Sequence, residues 1–380
     1  MQKTLTTTAL ATLLALGATA ASAEIRIGAS VSATGPAAFL GDPEAKTLEM
    51  LVEQINEKGG INGEEIALTL YDDGGDPNKA RTFATRLIED DEVVAIIGGS
   101  TTGTSMSILS VAEDNEIPFI SLAGAIEIID PVKPFTFKTP HTDRMACQKI
   151  FEDMQKRQIT TIGMISGTDG FGASMQAQCK DVVGEYGITV AADETYNPTD
   201  ADMTTQLTKI RNTKGVQAIL NPGFGQGPSI VTRNYRQLAI DLPLYQSHGV
   251  ASDGFIELAG AEAAEGVRLP GTALLIADQL AADDPQKPVV DAYKAAFEEK
   301  TGTSVGTFGG YAHDAFLILT DAITRAGSAE PQAIRDAIEA TRGLAGTTGI
   351  YTMSADNHLG LDLSAFRMLE IKGGEWTVVE

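Results

Sequence analysis

The sequence predicts an α/β protein built as two similar halves in tandem, each a mostly parallel sheet with helices on both faces. Three observations carry this. The chain has 380 residues, too many for one core of ordinary size. Apolar runs of strand length alternate with amphipathic stretches of helix length. The alternation begins again after about residue 140.

The elements follow in order. Ile25–Ala29 reads as a strand. Asp42-Pro43-Glu44 reads as a helix start, with Asp as N-cap and Pro in the first turn, and Gly59-Gly60 stops that helix after Lys58. Ile66–Tyr71 is a strand, Asp76-Pro77 opens a second helix, and Val93–Ile97 is a buried strand. Helix 104–114 and strand 117–121 complete a βαβαβαβ series, which implies parallel pairing. The second half has helix Asp143–Gln155, strand Thr161–Ile165, helix 172–185 and strand 188–192. Helix 202–212, strand 217–220, helix 227–238 and strand 243–246 follow. Helical segments at 288–300, 311–325 and 331–342 precede two strand-like runs, SAFRMLEI and WTVVE. The halves join near Lys138-Thr139-Pro140 with no long linker, so the join reads as a hinge.

Composition narrows the function. A net charge of −23 disfavours nucleic acid and anionic membrane surfaces, which need clustered Lys and Arg. Residues 1–23 read as a secretory signal: Lys3, then the apolar run ALATLLALGATA, then ASA, with cleavage expected after Ala23. Cys147 and Cys179 lie in helical patterns flanking one strand. An oxidising compartment permits a bridge between them, and two buried thiols are the alternative. Neither cysteine has a metal-spaced histidine, and the sequence implies no cofactor and no metal.

In an open parallel α/β sheet, ligands bind beyond the C-terminal strand ends. One such end is GGSTTGTS, residues 98–105, where hydroxyls and free N–H groups meet the positive end of a helix. Such a site suits a carboxylate or phosphate, although plain N-capping explains the same residues. The others are SLAGA, SGTDGFGAS with Phe171, NPGFGQGP with Phe224, and YQSHGVAS with His248. Gly223, Gly225 and Gly227 do not form a dinucleotide fingerprint, Ser100 lacks the closing glycine of a nucleophile elbow, and no metalloprotease or phosphate-loop motif occurs. Asp72-Asp73 reads as a solvated turn with a helix cap. Catalysis has no positive support.

The stretch IGASVSATGPAAFLGDPEAKTLEMLVEQINEKGGINGEEIALTLYDDGGDP, with RLIEDDEVVAIIGGSTTGTS, EIPFISLAGA, GTDGFGASM, YQSHGVAS, AAEGV and GGYAHDAF, resembles the leucine/isoleucine/valine-type periplasmic binding proteins of ABC transporters. The resemblance covers nearly the whole chain after residue 23. It implies the type I periplasmic binding fold: two Rossmann-like lobes joined by a three-strand hinge and closing on a ligand. Lobe I would be 24–140 plus 272–352, and lobe II 141–271 plus 353–380. The implied role is an exported, monomeric receptor that hands a small carboxylate to ABC transporter permease subunits. An extracellular sensor and an exported enzyme are the competing classes.

The resemblance places the ligand carboxylate at Thr102, with Ser100 and Thr101 beside it, and at Ala123 and Ala125. Phe171 and Phe224 fall on the aromatic wall, and Leu40 and Phe308 on further side-chain positions. Thr101 stands where some relatives have a disulfide cysteine. The departure is His248, where amino-acid-binding members carry an acidic side chain that pairs with the ligand ammonium. A buried ammonium without that partner is costly. A histidine instead donates to an oxygen or, protonated, pairs with an anion. The expected ligand is therefore a carboxylate without an obligatory α-ammonium, benzoate-like or a 2-oxo acid. A branched-chain amino acid is the alternative.

Overall fold

The computed structural model describes residues 24–379, so the export segment and its cleavage point lie outside the described residues. Two sheets organise the chain. The first holds β1 (Ile25–Val31), β2 (Ile66–Asp72), β3 (Ala95–Gly98), β4 (Phe119–Ser121) and β5 (Thr136–Lys138), in the order β2-β1-β3-β4-β5, all parallel. The second holds β6 (Thr161–Gly167), β7 (Thr189–Tyr196), β8 (Ala218–Asn221), β9 (Leu244–Gln246) and β10 (Arg268–Gly271) in parallel. Apart from a two-stranded ribbon, β11 (Leu344–Ala345) and β12 (Ile350–Tyr351), the chain closes with β13 (Arg367–Lys372) and β14 (Glu375–Val378). These two add antiparallel at the second sheet's edge.

Helices α1 (Ala38–Glu57), α2 (Pro77–Glu89) and α3 (Thr102–Asp114) cross between strands of the first sheet. Helix α4 (Asp143–Lys156) leads from β5 into β6, and α5 (Gly170–Val182), α6 (Thr204–Asn212) and α7 (Gln226–Gln237) cross between strands of the second sheet, followed by α8 (Asp253–Ala259) and α9 (Ala261–Ala264). Strands β1, β3 and β4 are buried along all or nearly all of their length because helices cover both faces. Helix α10 (Lys287–Thr301) lies beside α1, where Tyr293 Oη and Thr47 Oγ1 are 2.7 Å apart. Helices α11 (Thr307–Ala326) and α12 (Pro331–Glu339) return to the first body. Phe316, Leu319, Ile334 and Ile338 there share a core with Ile27, Ile96 and Ile120. The chain thus crosses between the bodies three times: after β5, after β10 and after α12.

Two sequence readings change. The first helix does not start at Asp42. It starts at Ala38 and carries Pro43 within it. Tertiary packing prevails over the local proline signal: the added turn sets Phe39 against Phe308, with ring centroids 5.6 Å apart, and buries Leu40. Asp73 is not part of a solvated turn. It is fully buried and accepts from Ser30 Oγ at 2.9 Å, Ser32 Oγ at 2.7 Å and the Gly75 N–H at 2.9 Å. Asp76 caps α2 as expected, accepting from the Asn78 N–H. Cys147 on α4 and Cys179 on α5 are joined by a disulfide, with Cα atoms 5.1 Å apart.

Candidate functional site

A cleft opens between the C-terminal strand ends of the two sheets. Its walls lie close together: the space between them is about 410 Å³ with open solvent at the mouth counted in, and only about 40 Å³ of it admits the centre of a water-sized sphere. Of the residues named from sequence, Leu40, Ser100, Thr101, Thr102, Ala123, Phe171, Phe224, His248 and Phe308 line it. Ala125 does not. It is fully buried below the surface, where its carbonyl takes a contact from the Lys138 ammonium at 3.4 Å. Leu122, Gly124, Pro140, Gly249 and Tyr311 complete the lining and were missed.

The Ser/Thr loop divides its work by position. Thr101 is the N-cap of α3. Its Oγ1 accepts from the Thr104 N–H at 3.2 Å, and the Thr104 hydroxyl answers to the Thr101 N–H at 3.1 Å. Ser100 is already committed as well: it accepts from the Ser32 N–H at 2.9 Å and donates to Glu44 Oε2 at 2.5 Å. Burial raises the Glu44 carboxyl well above its usual range, against the lowering effect of the Ser100 bond. Thr102 differs. Its Oγ1 is buried with no hydrogen-bond partner, at the N-terminus of a thirteen-residue helix. The capping box leaves the Thr102 and Gly103 N–H groups without a partner among the described residues. The Ala123 N–H is less available, since it donates to Ser121 Oγ at 3.2 Å.

The opposite wall is aromatic. Asp169 caps α5 and accepts from the Phe171 N–H at 3.0 Å, which fixes that ring. Phe171 meets Phe224 edge-on with centroids 6.1 Å apart, and meets His248 at 5.4 Å. Phe39 reaches across to Phe224 at 6.1 Å. The two bodies touch tightly here. A Cβ on Gly124 would lie 2.9 Å from His248 Nε2 and 2.9 Å from Phe171, and one on Gly249 would lie 2.9 Å from Phe171. Glycine is what lets the walls approach.

His248 follows β9 on a short helical turn set by Ser247, whose Oγ accepts from the Gly249 N–H at 3.1 Å. Only 3% of the residue is exposed; the ring has a backbone hydrogen bond at His141, while Nδ1 has no partner among the described residues. Burial, reinforced by the Lys138 charge, pushes its imidazolium down to about 3. The ring is uncharged at physiological pH, so the expected pairing of a protonated histidine with an anion does not apply. Lys138 is itself fully buried at the first crossing, donating to Gly124 O at 2.9 Å and His141 O at 3.3 Å. Burial lowers it to about 7, while Asp143 pulls it back. Among the described residues no acidic side chain lines this inner cavity, Asp169 and Asp200 standing in the adjoining outer part, and no cluster could hold a metal ion.

Two α/β bodies, three crossings and a cleft at facing strand ends define a two-lobed solute-binding receptor. A family model described as periplasmic binding protein matches residues 24–375, and the chain belongs to that family, in its Leu/Ile/Val-binding branch. It is 27% identical to the leucine-, isoleucine-, valine-, threonine- and alanine-binding protein of Pseudomonas aeruginosa, over 83% of this chain and 82% of that one. An extracellular ligand-binding receptor from Rhodopseudomonas palustris HaA2 superimposes with a TM-score of 0.87 at 29% identity, over 94% of this chain and all of the other. The Streptococcus pneumoniae branched-chain amino acid binding protein LivJ, solved with isoleucine, shares the fold at a TM-score of 0.83 and 22% identity, over 94% and 99%.

Proposed function

We propose that the protein is the ligand-capturing receptor of an ABC importer and that its ligand is a branched-chain or similarly small hydrophobic amino acid. The observation that carries this is the cleft. One sheet offers the unpartnered Thr102 hydroxyl at a helix N-terminus, suited to a carboxylate, and the walls beyond it are Leu40, Phe171, Phe224 and Phe308. The ligands named for the Pseudomonas aeruginosa relative fit that chemistry. The lobes, divided as 24–140 plus 272–352 and 141–271 plus 353–380, close about the three crossings. A monomer delivers ligand to permease subunits from the periplasm, where the family works.

A second reading is favoured by one observation. The wall presents a neutral His248 where a carboxylate would pair with an ammonium. That favours a carboxylate lacking the ammonium, such as a 2-oxo or aromatic acid. Calorimetric titration with leucine, isoleucine and valine, and then with 2-oxo and benzoic acids, separates the two. Single-site binding of the amino acids supports the first reading. Heat from the ammonium-free acids alone transfers the assignment to the second. Heat from neither group sinks the receptor reading.

A further inference from the structure

Beneath the Ser/Thr loop lies a buried acid that does not itself line the cleft. Glu44, on α1, is wholly buried, and its Oε1 has no hydrogen-bond partner among the described residues. Its Oε2 stands 2.5 Å from Ser100 Oγ, and Ser100 lines the cleft beside Thr102. Ser100 Oγ also accepts from the Ser32 N–H at 2.9 Å. A hydroxyl has one proton and two lone pairs. The Ser32 bond takes one lone pair, so the contact with Glu44 decides what Ser100 shows the cleft. Against a Glu44 carboxylate, Ser100 must give its proton to that carboxylate, and only a lone pair faces outward, which repels an anion. With a proton on Glu44 Oε2 the same contact runs the other way, and the Ser100 proton is free to reach a ligand carboxylate. A proton on Oε1 would instead be a buried donor without an acceptor, a costly arrangement.

The surroundings of Glu44 favour the proton. Burial raises its carboxyl, the Ser100 bond lowers it, and the Asp73 charge raises it again. Asp73, buried after β2, is held by the hydroxyls of Ser30 and Ser32. From α11 the facing group is Tyr311, which acts on Glu44, while His313 bonds Asp314. From α10, Tyr293 is taken up by Thr47. Cations on these elements pair elsewhere: Arg26 with Glu92, Lys300 with Glu53 and, on α1 itself, Lys46 with Asp42.

Resting on the receptor reading above, we propose that Glu44 is a positioning residue: it holds a proton against Ser100, so that Ser100 joins Thr102 in donating to the ligand's carboxylate, and capture is linked to that proton. The linkage has a sign. The protonated receptor binds the anion more tightly, so affinity falls as pH rises through the Glu44 titration, and by reciprocity a proton is taken up with the ligand.

Calorimetric titration with leucine and with 4-methyl-2-oxopentanoate from pH 6 to pH 9 tests this on the wild type and on Glu44→Gln, whose amide can donate to Ser100 but cannot ionise. The ratio of the wild-type Kd to the Glu44→Gln Kd should rise about fivefold or more over that range. At pH 8, wild-type titrations in buffers of different protonation enthalpy should show net proton uptake, diminished in Glu44→Gln. Ser100→Ala should weaken both ligands about tenfold at pH 6. A constant Kd ratio, uptake undiminished in Glu44→Gln, or a Ser100→Ala Kd within threefold of wild type each overturns the inference and leaves the receptor standing. Should Glu44→Gln fail to fold, the wild type still decides, since no uptake or a net release overturns the inference alone. Absence of heat from both ligands and from benzoate at every pH strikes the receptor reading, and this inference with it.

Discussion

Thr101 and Thr102 are adjacent, chemically identical and predicted to respond to valine in opposite ways. Thr102 is 7% exposed and its hydroxyl has no partner among the described residues. On the proposed reading it donates to the ligand carboxylate, a charge-assisted bond of about 1.5–3 kcal/mol. Thr102→Val should therefore raise Kd about 10- to 150-fold. In the free protein the same change replaces an unsatisfied buried hydroxyl with a methyl of the same shape, which stabilises by about 1 kcal/mol. At an unfolding entropy of about 2.1 cal/mol/K per residue, that shifts the Tm of a chain this long upward by about 1 °C. Thr101 spends its hydroxyl on the Thr104 N–H. Thr101→Val should lower stability by about 1 kcal/mol through loss of the cap and alter Kd less than threefold. Calorimetry gives the affinities, and urea unfolding without ligand gives the stabilities. If Thr102→Val destabilises the free protein and leaves Kd within threefold, the carboxylate is not held there and the reasoning fails.

Replacing both Cys147 and Cys179 with serine removes a link closing a loop of 32 residues. This should cost about 3–4 kcal/mol and leave ligand affinity unaltered, read by urea unfolding beside calorimetry; unchanged stability would count against the bridge. Lys138 has a lowered folded-state value of about 7 against an unfolded value of about 10.4, so between these the unfolded chain binds more protons and stability rises with pH. The stability difference between wild type and Lys138→Met should therefore grow in favour of wild type from pH 6.5 to 9.5 in urea unfolding. A flat or falling difference would show that Lys138 keeps its proton in the fold. Gly124→Ala places a methyl 2.9 Å from His248 and Phe171. It should weaken ligand at least tenfold, at an overpacking cost of about 1–3 kcal/mol, and enlarge the ligand-loaded particle in small-angle scattering. Native affinity with native dimensions would show that the walls do not meet there in solution.

The regular α/β alternation was legible because covered parallel strands leave long apolar runs. β5 was not: three residues ending in Lys138 carry no strand signal, and burying that lysine depends on carbonyls of residues 124, 125 and 141, supplied by tertiary structure. β10 was missed similarly, since Arg268 is neutralised by Asp153 and Glu370 from other segments. In the candidate site, the strand-end rule together with the family resemblance pointed to Thr102, Phe171, Phe224 and His248, all of which line the cleft. Tyr311 escaped because a tyrosine on an apolar helix reads as core, and nothing local shows whether its hydroxyl has a partner. Ala125 was over-read because backbone at a strand end faces the cleft only until the chain turns, which here happens one residue earlier.

The three crossings also govern when the protein can acquire its shape. Strands β1–β5 leave the ribosome first, but α11 and α12, which cover their sheet, emerge only after everything up to β10. Until then Ile96, Ile120 and their neighbours lack their cover, and the contacts that finish the body span most of the chain. Such long-range closure is slow. For a chain that must thread through a membrane before folding, that delay keeps it passable, and the cleft is roofed by Phe308 and Tyr311 only once the journey is nearly complete.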